Sequence, residues 1–422
     1  MPESNEFHVI IIGGGLVGPA LALALKKRHG IRSSLYEIRP EDYNPGTNIA
    51  LAPNALRVLS HIGVYDQLLP HGFCYESVVV SSGRGERLAS YLAGSEKEYN
   101  FPAFRVNRSK VRSVLLAELN AQDIPIHYDM KFSSIDEEAA DSVTVNFEGG
   151  ISVKANFVIG ADGVHSKVRR HLFPSSVAKY PNLFGVTGLL PRNQLHKSAA
   201  ATPLPGMWYG QHGFIAVMPS SMDGEDIGFF STLSGPDRPR NEWEALDTKK
   251  DEIRQMLIER HCDGAWPELI SNICKSAPGE MLNIWPFYVV PTLSRWRSSN
   301  SRVIVIGDAA HGITPTGGIG AAVGLEDADS LAYVLSKIKQ GCDLNSLLYT
   351  WELHRIQRVA QVVQYTAEST KLRRPGESFI RQWIKEWVLW AKLKYTGPQA
   401  GREWLYQYNA EDIVGILKSA GL

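Results

Sequence analysis

The sequence predicts an α/β fold in which a parallel sheet is interrupted by a mainly antiparallel β domain and followed by a helical C-terminus. Three observations predict it. Between residues 9 and 37 an apolar strand, a glycine-rich turn, a small-residue helix and a second strand follow one another. Two more apolar strands, each followed by glycine and aspartate, occur near residues 160 and 306. Between those two strands, short apolar segments broken by polar turns are typical of an antiparallel sheet.

Charge and cysteine content exclude several classes of protein. The 422 residues carry 44 Lys and Arg against 44 Asp and Glu, so overall charge favours neither nucleic acid nor an anionic membrane as a partner. The first residues, MPESNEF, lack the basic start of a secretory signal, and no apolar run approaches the roughly 20 residues that cross a bilayer. The cysteines are scattered, in a pattern typical of neither a disulfide framework nor a metal site: Cys74, Cys262, Cys274 and Cys342. We therefore expect a cytoplasmic protein without a transmembrane segment, a metal or a nucleic-acid partner. Oligomeric state is not indicated.

The first βαβ unit carries a nucleotide-binding pattern. GGGLVG places Gly13, Gly15 and Gly18 at G-x-G-x-x-G spacing directly after a buried strand. The first glycine permits a tight turn, the second lets a pyrophosphate approach the backbone, and the third lets the helix pack close to the strand. Glu37 ends the second strand, where an acid accepts hydrogen bonds from an adenosine ribose. This unit suits NAD and FAD equally well.

Two later stretches choose between these dinucleotides. In NFVIGADGVHSKVRRHLF, a buried strand is followed by Asp162 and a basic helix. In SRVIVIGDAAHGITPTGGIGAAVGLEDADSLAYVL, a strand delivers Asp308, and a Pro/Gly loop leads to a long helix that starts near Gly320. An acid at the carboxyl end of a parallel strand lies where ligands bind, and a helix N-terminus stabilises negative charge on a flat ring such as a reduced flavin. The alternative for Asp308 is a helix N-cap.

Taken in order, GGGLVG, GADGVHSKVR and GDAAHGITPTGGIGAA resemble the motifs of group A FAD-dependent monooxygenases, the para-hydroxybenzoate hydroxylase-like family. The chain looks most like the fungal enzymes of secondary metabolism, and the resemblance extends to about residue 370. It implies a Rossmann-like FAD-binding domain of the GR2 type with an inserted substrate domain. It also implies FAD as cofactor, NADPH or NADH as a transient co-substrate, and O2 with a small aromatic or alkene molecule as partners. Oxygen would pass from a C4a-hydroperoxyflavin in a hydroxylation or an epoxidation.

Carried over position by position, the resemblance assigns FAD contacts to individual residues. Glu37 would hold the adenosine ribose, and Asp308 the ribityl chain. Gly320 and Ala321 would face the pyrimidine edge of the flavin. Arg108 stands where the family has a FAD-contacting arginine, with a solvated first-turn arginine as the alternative.

Other carried-over positions concern the loops around the flavin. The backbone around Ala50 would pass the flavin, and Asp162 with Arg169 would brace the loop that touches FAD. Where many relatives have glutamine between two glycines, this chain has Ile319, so a side-chain amide is missing there.

The helix that Arg108 begins is predicted from its own residues. Asn107 is a candidate N-cap. One face of the helix forms a buried apolar stripe: Val111, Val114, Leu115 and Leu119.

Domain boundaries follow from changes in pattern. We expect residues 1–180 to form the first part of the FAD-binding domain, with a possible substrate-domain hairpin near residues 75–104. Residues 181–284 would form the substrate domain, 285–371 the second part of the FAD-binding domain, and 372–422 a helical extension.

Within the substrate domain, residues 243–260 are predicted to form one amphipathic helix. The aromatic-rich extension could cap the cavity, rest on a membrane surface or form a dimer face, with packing against the body of the protein as the default.

Substrate-facing residues are predicted from aromatic side chains near turns and strand ends, with ordinary sheet core as the alternative for each. The aromatic candidates are Trp208, Phe229, Phe287 and Tyr288, and Pro315 is expected separately to form the floor beside the oxygen-transfer site. Because strand residues alternate between faces, only one of Phe229 and Phe230 can face the pocket. No catalytic residue is identified.

Arg192, Tyr209 and His212 are the remaining catalytic candidates, and His311 is assigned a structural role. Some fungal relatives have an active-site arginine on the first strand of this domain. Here FGVTGLLPR has none within the strand, and Arg192 lies at its end.

Two other functions remain open. A flavin-dependent reductase or dehydrogenase on the same fold would oxidise NAD(P)H without oxygenating a substrate. A non-enzymatic carrier of the GDP-dissociation-inhibitor type would retain the fold without flavin, although the three nucleotide motifs argue against it.

Overall fold

The computed structural model describes residues 7–374 and 378–422. In these residues the strands, in chain order, are β1 (His8–Ile12), β2 (Arg32–Tyr36), β3 (Asn48–Leu51), β4 (Gly72–Tyr75), β5 (Ser77–Ser82), β6 (Arg87–Leu92), β7 (Ala103–Asn107), β8 (Ile126–His127), β9 (Phe132–Glu138), β10 (Val143–Phe147), β11 (Ile151–Ala155), β12 (Phe157–Gly160), β13 (Leu183–Pro191), β14 (Gly206–Gly210), β15 (Gly213–Pro219), β16 (Asp226–Ser234), β17 (Asn283–Pro286) and β18 (Val303–Val305).

The α-helices of the same residues, in chain order, are α1 (Val17–Leu23), α2 (Pro53–His61), α3 (Tyr65–Leu68), α4 (Glu96–Tyr99), α5 (Arg108–Ala121), α6 (Lys167–Leu172), α7 (Lys197–Ala200), α8 (Arg240–Thr248), α9 (Lys250–His261), α10 (Glu268–Ser276), α11 (Asp308–His311), α12 (Gly320–Lys339), α13 (Leu344–Arg373), α14 (Phe379–Tyr395), α15 (Glu403–Tyr406) and α16 (Asp412–Ser419). A π-helical turn, Ala24–Arg28, continues α1.

A parallel sheet in the order β18-β12-β1-β2-β8 organises the first unit. Residues 9–12 of β1 and all of β12 are apolar or glycine and are buried, as expected for a parallel sheet covered on both faces. The carboxyl ends of β1, β12 and β18 lie side by side, because Ile12 pairs with Gly160 and Gly160 pairs with Val305. The three loops that carry the sequence motifs therefore leave the sheet at one edge.

A second, seven-stranded sheet has the order β17-β13-β16-β15-β14-β5-β6. The hairpin β5–β6 joins it through parallel pairing of β5 with β14. One face packs against α8, α9 and α10 around a separate apolar core. The predicted single helix over residues 243–260 is wrong: α8 ends before Lys249, whose ψ of 69° is not helical, and α9 begins directly after it. The other face of the sheet is turned toward the loops of the parallel sheet.

Two small sheets complete the fold. The order β3-β7-β4 places Arg105 between Ala50 and Phe73 on the neighbouring strands. The order β11-β10-β9 forms a flap beside the parallel sheet.

The C-terminal part is helical, as predicted. The 30-residue helix α13 runs along α12, and α14 buries Leu389 and Leu393 against the hairpin β5–β6. Within residues 7–374 and 378–422, no helix has both the length and the apolar composition needed to cross a bilayer.

Candidate active site

The turn after β1 packs so closely against its neighbours that Gly13 and Gly18 have no room for a side chain. Gly13 has a φ of 116°, and a Cβ there would lie 2.3 Å from the Ala161 carbonyl oxygen. A Cβ on Gly18 would lie 2.0 Å from the Gly13 carbonyl oxygen, because α1 packs directly on the turn. Gly15 faces Arg108, whose Nη2 would be 3.5 Å from an added Cβ. This arrangement suits a pyrophosphate, which needs close approach to backbone amides and a cation nearby.

Glu37 directly follows β2, and its carboxylate is fixed by backbone amides. Oε2 accepts a hydrogen bond from the Gly14 N–H at 2.5 Å, and Oε1 accepts one from the Arg39 N–H at 2.9 Å. The carboxylate therefore stands at the end of the glycine turn, where the ribose of a bound adenosine would lie.

Arg108 and Asp308 come from distant parts of the chain and face the same space. Asn107 caps α5, as predicted: its Oδ1 accepts a hydrogen bond from the Ser109 N–H at 2.9 Å. Burial lowers the pKa of Arg108, and the nearby Asp308 carboxylate opposes that shift. Asp308 is not the N-cap of its own helix, because Gly307 occupies that position. Its side chain is instead directed to the cavity and is free to accept hydrogen bonds from a ligand.

The N-terminus of α12 faces the cavity beside Asp308. Gly318, with a φ of 65°, makes the turn that begins the approach to this helix. An added Cβ on Gly320 would lie 4.0 Å from Asp308 Oδ1. Ile319 and Ala321 also line the cavity, so the wall here is apolar apart from backbone N–H groups. Such N–H groups stabilise negative charge on a ligand.

The loop after β12 is stabilised by the Asp162 carboxylate. Oδ2 accepts hydrogen bonds from the Lys167 N–H at 2.7 Å and the Val168 N–H at 3.2 Å. Oδ1 is buried without a partner, and burial raises the pKa of this carboxyl group. Asp162 is one of the residues that line the cavity, so its unsatisfied oxygen is a candidate acceptor for a ligand hydrogen bond.

Arg169 joins this loop to the loop after β18. It is fully buried and donates to the carbonyl oxygens of Val164 at 2.7 Å, Ala309 at 2.8 Å and Ser176 at 3.2 Å. The bracing role that the resemblance implied for Asp162 and Arg169 matches these contacts.

A buried charge network holds the Asp308 loop from behind. Asp327 Oδ2 lies 2.6 Å from His311 Nε2 and accepts a hydrogen bond from the Gly307 N–H at 2.9 Å. Arg355 donates to Asp327 Oδ1 at 2.7 Å and to Glu326 Oε2 at 3.0 Å. Burial alone would raise the pKa of Asp327, but Arg355 and His311 hold it below its ordinary value. His311 therefore acts structurally, through Asp327 on α12, a contact that no local sequence pattern indicates.

These loops meet at a cavity of about 1490 Å³. The predicted cofactor residues among its lining are Gly13, Glu37, Ala50, Arg108, Asp162, Asp308, Gly320 and Ala321. Gly15 and Gly18 stand directly behind this lining, where they permit the approach of Arg108 and α1. The backbone N–H donors, the glycine turn after β1 and the unpaired Asp162 oxygen fit an extended dinucleotide. The volume of the cavity leaves room for a second small molecule beside it.

The seven-stranded sheet forms the other end of the cavity. Met207, Ala216 and Phe230 are cross-strand neighbours on one face and all line it. Phe230 stacks near Phe287, with ring centres 6.2 Å apart and planes 18° apart, and Trp285 lies 5.6 Å from Phe287. These rings make an apolar aromatic slot at this end of the cavity.

The assignments of Trp208 and Phe229 to the substrate pocket are wrong. Both side chains point to the opposite face of the sheet and pack in the core against α8, α9 and α10. Phe229 fills the space over Gly188, and Trp208 covers Gly206. The alternation of strand side chains puts the neighbouring Phe230 on the cavity instead.

The remaining predicted substrate residues do line the cavity. Phe287 and Tyr288 follow β17, and Pro315 begins a 3₁₀ turn, Pro315–Gly317. Tyr288 lies edge-on to His165, a residue of the Asp162 loop, at 4.7 Å between ring centres.

The catalytic candidates are not brought together. Arg192 lies in a 3₁₀ turn, Arg192–Gln194, away from the lining, and His212 Nε2 lies 2.9 Å from Asp263 Oδ2 outside this cavity. Tyr209 is on the cavity-facing side of β14 but packs against Phe214, 4.9 Å away, beyond the lining itself. Arg192 and His212 are therefore excluded as groups that touch a ligand in this cavity.

Among the lining residues that sequence reasoning missed are two buried arginines. Arg105 on β7 and Arg373 at the end of α13 both reach the cavity. Arginine within the otherwise apolar segment AFRV was the available signal for the first. Nothing in the sequence indicated that the long helix ends at the pocket.

Comparison with known proteins agrees with this geometry. Residues 6–366 match the sequence family described as FAD binding domain. The chain is 25% identical over 376 residues to 6-hydroxynicotinate 3-monooxygenase from Bordetella bronchiseptica, covering 87% of this chain and 92% of the relative. It is also 25% identical over 413 residues to 6-methylsalicylate 1-monooxygenase from Aspergillus terreus, covering 92% and 88%.

Solved structures share the fold. Klebsiella pneumoniae HpxO, solved with FAD and uric acid, superposes with a TM-score of 0.78 at 21% identity, covering 97% of each chain. A salicylate hydroxylase substrate complex gives a TM-score of 0.78 at 21% identity, covering 98% of each chain.

The fold and the cavity define a FAD-binding protein of the α/β class with an antiparallel substrate-side sheet. The chain belongs to the FAD-binding-domain family, as one of its para-hydroxybenzoate hydroxylase-like flavin monooxygenases. The resemblance predicted from the three motifs is thereby confirmed, and FAD is its cofactor.

Proposed function

We propose that the protein uses NADPH or NADH and O2 to hydroxylate or epoxidise a small aromatic, indole or polyketide/terpenoid-type molecule. The observation that carries the proposal is the continuity of the cavity. The loops after β1, β12 and β18 line one end, and the aromatic slot of the seven-stranded sheet lines the other. A cytoplasmic location and a role in secondary metabolism are part of the proposal, and the similarity to a 6-methylsalicylate monooxygenase supports the latter.

The residues that would hold FAD follow from the site. We assign the pyrophosphate to the turn of Gly13, Gly15 and Gly18 with Arg108, the adenosine ribose to Glu37, and the ribityl chain to Asp308. The flavin ring would lie near Ala50, Asp162, Gly320 and Ala321. When bound, FAD supplies the redox chemistry and the activation of O2.

The chain contributes binding, charge stabilisation and exclusion of water. The N–H groups at the start of α12 stabilise negative charge that develops on the ligand beside Gly320. Phe230, Trp285 and Phe287 hold a planar substrate and keep water from it. No side chain is assigned as a general base.

The test measures oxygen transfer directly. Purified holoenzyme is incubated with NADPH or NADH, isotopically labelled O2 and panels of indoles, phenols and terpenoids. A product that contains one labelled oxygen atom, formed with one equivalent of NAD(P)H oxidised, supports the proposal. NAD(P)H oxidation that proceeds equally well without O2 and yields no labelled product would favour a reductase. A purified protein without flavin absorbance would favour a carrier.

A further inference from the structure

The fold brings together two cysteines that are separated in the sequence. Cys262 directly follows α9, and Cys274 lies near the end of α10. Both pack in the apolar core between these helices and the seven-stranded sheet, on the face of the sheet away from the cavity. Cys262 Sγ lies 3.8 Å from the carbonyl oxygen of Ser271, one helical turn before Cys274. Because side chains in a helix point back toward its N-terminus, the Cys274 thiol is directed to the same place.

The two thiols are neighbours that differ in exposure. They share a hydrogen bond, which lowers the pKa of Cys262 although burial opposes that shift. The same hydrogen bond, together with burial, raises the pKa of Cys274. The Cys262 side chain is partly exposed to solvent, whereas Cys274 is fully buried. An accessible and more acidic thiol therefore lies beside a buried thiol that keeps its proton, which is the arrangement of an attacking and a resolving cysteine.

We propose that Cys262 and Cys274 form a site of reversible oxidation, at which hydrogen peroxide converts the two thiols into a disulfide. The Cys262 thiolate attacks the peroxide, so that an S–O bond forms, the O–O bond breaks, and the departing hydroxide takes up the proton that Cys262 released. Cys274 then attacks the Cys262 sulfur: the S–S bond forms, the S–O bond breaks, and the second oxygen leaves as water with the Cys274 proton. Two thiols and one peroxide thus give one disulfide and two waters. A dithiol reverses the reaction by thiol–disulfide exchange.

The disulfide would fasten the helices that support the seven-stranded sheet from behind. The loop that it closes contains Trp266, whose ring is buried edge-on to His261 and covers Gly210 at the end of β14. A closed loop restricts the unfolded chain, so the oxidised protein should resist unfolding better than the reduced protein. The cavity lies on the other face of the sheet, and the site is therefore independent of the proposed oxygenation.

The other two cysteines are internal controls for this site. Cys74 on β4 and Cys342 between α12 and α13 are both exposed. If accessibility alone decided which thiol reacts, peroxide would oxidise Cys74 and Cys342 before the half-buried Cys262. A site built from two neighbouring thiols predicts the opposite order.

Mass spectrometry of the oxidised protein tests the proposal. Holoenzyme is treated with a small molar excess of hydrogen peroxide, the remaining thiols are alkylated, and the peptides are identified. We expect a linked peptide pair that contains Cys262 and Cys274, has lost two hydrogens and is separated by dithiothreitol. Oxidation at Cys262 should be about 10-fold or more faster than at Cys74 or Cys342. The oxidised protein should also unfold at a higher urea concentration than the same sample after reduction.

Variants separate the roles of the two thiols. Cys274→Ala should leave Cys262 as a sulfenic acid that dimedone labels, and Cys262→Ala should leave Cys274 reduced because the core shields it. Cys342→Ala is the matched control and should form the disulfide like the parent. The parent and this control decide the question even if a substitution in the core prevents folding. Faster oxidation at Cys74 or Cys342, disulfides between molecules, or a Cys262 that stays open to alkylation would overturn the proposal and leave the proposed oxygenation intact.

A separate observation concerns α14, whose polar and apolar sides are reversed. Gln382 donates to the Tyr209 carbonyl oxygen at 3.1 Å, and Glu386 lies 3.2 Å from Arg84, so these polar side chains face the body of the protein. The large apolar side chains on the outer side are exposed by 48–69%: Phe379, Ile380, Trp383, Ile384, Trp387 and Val388. These residues are pairs of neighbours that recur every four residues, so they form one continuous stripe along the helix.

Basic side chains accompany this outer stripe. Arg381, Lys385 and Lys392 lie along one edge of it, between the stripe and the side that faces the body. The acid of the helix, Glu386, is turned inward. Lys392 lies 3.4 Å from Glu368, an exposed pair that contributes little and leaves the edge with more positive than negative charge. The balanced charge of the whole chain conceals this local excess.

We infer that the outer stripe of α14 docks on the surface of an anionic lipid bilayer, with the helix lying along the surface. Trp with Lys and Arg on one helix is typical of helices that lie in the membrane interface. A second copy of this chain, paired symmetrically on the same stripe, would place one basic edge against another. Charge complementarity therefore favours the lipid surface over a dimer.

Sedimentation with vesicles tests the docking. Holoenzyme is mixed with vesicles of phosphatidylcholine alone or with about one-third phosphatidylserine, a fraction that gives a clearly negative surface. We expect binding to the anionic vesicles that weakens with added salt and falls about fivefold or more in Trp383→Ser/Trp387→Ser. Met222→Ser, which removes an exposed apolar side chain elsewhere, should bind like the parent. Failure to sediment, equal binding to both kinds of vesicle, or a parent that is dimeric while the double variant is monomeric would overturn the inference.

Discussion

The Arg169 guanidinium donates a hydrogen bond from Nη1 to the carbonyl oxygen of Ala309 at 2.8 Å. The two residues lie 140 positions apart, on the short helices α6 and α11 that follow β12 and β18. One buried side chain therefore sets the distance between the loop of Asp162 and the loop of Asp308. Both loops line the cavity assigned to FAD.

We predict that Arg169→Lys weakens FAD binding about 10-fold or more, because one ammonium group cannot satisfy three carbonyl oxygens in fixed directions. Unfolding should also become easier, by about 2–4 kcal/mol, since buried carbonyl groups lose their donors. FAD affinity is measured by flavin fluorescence and stability by urea unfolding. Arg87→Lys, at an exposed position on β6 outside the cavity lining, is the control. A destabilised variant with unchanged FAD affinity would show that the link between the loops is not needed for the cofactor.

A second prediction concerns Asp308. Replacing it by alanine should weaken FAD binding about 10- to 100-fold, because a charged acceptor for ligand hydroxyl groups is lost. The apoprotein should remain folded, since the side chain is exposed in the cavity and makes no cap for its helix. Asp308→Asn keeps one acceptor oxygen, so its FAD affinity should lie between that of the parent and that of Asp308→Ala. Asp136→Ala, on the exposed side of β9, serves as the control. Unchanged flavin retention in Asp308→Ala would remove this carboxylate from the site.

Local signals account for the parts of the site that the sequence predicted. The glycine turn, Glu37, the Asn107 cap and the position of Asp308 after its strand each depend on residues adjacent in the chain. Convergence of the motifs follows from the rule that parallel strands place their carboxyl ends at one edge.

The parts of the site that the sequence did not predict depend on contacts between distant residues, or on which face of the sheet a strand residue points to. Arg373 reaches the pocket only because α13 is 30 residues long and ends there. The alternation of strand side chains predicted that one of Phe229 and Phe230 faces the pocket, but not which one. In the structure Phe229 packs over Gly188 and Trp208 packs over Gly206, and both therefore lie on the core face of the sheet. The sequence of the strand does not show which face of the sheet α8, α9 and α10 will cover.

The same adjacent pair gives a third prediction. Phe229→Ala should destabilise the protein by about 3–5 kcal/mol, because it opens a cavity in the packed core under the sheet. Phe230→Ala should cost clearly less stability but weaken the binding of aromatic probes, since this ring lines the slot. Each variant is the control for the other in urea unfolding and in probe titration. Equal effects of the two substitutions on probe binding would contradict the assignment of the cavity face.

A fourth prediction concerns the pH dependence of stability. His261 is fully buried in the core between α9 and the seven-stranded sheet, with Nε2 2.7 Å from Ser231 Oγ and the ring edge-on to Trp266. Burial lowers the pKa of His261 from 6.5 to about 3. The unfolded chain therefore binds a proton near pH 6.5, whereas the folded chain does so only near pH 3. The stability that neutral His261 contributes is present above pH 6.5 and is lost as the pH falls toward 3.

Urea unfolding at several pH values between neutrality and pH 5 measures this effect. The free energy of unfolding of the parent should fall by up to about 1.4 kcal/mol per pH unit more steeply than that of His261→Gln, which has no group to protonate. His71→Gln, at an exposed position before β4, is the control variant and should keep the slope of the parent. Other groups titrate equally in all three proteins, so the difference in slope isolates His261. Identical slopes for the parent and His261→Gln would mean that this histidine is not held neutral by the core.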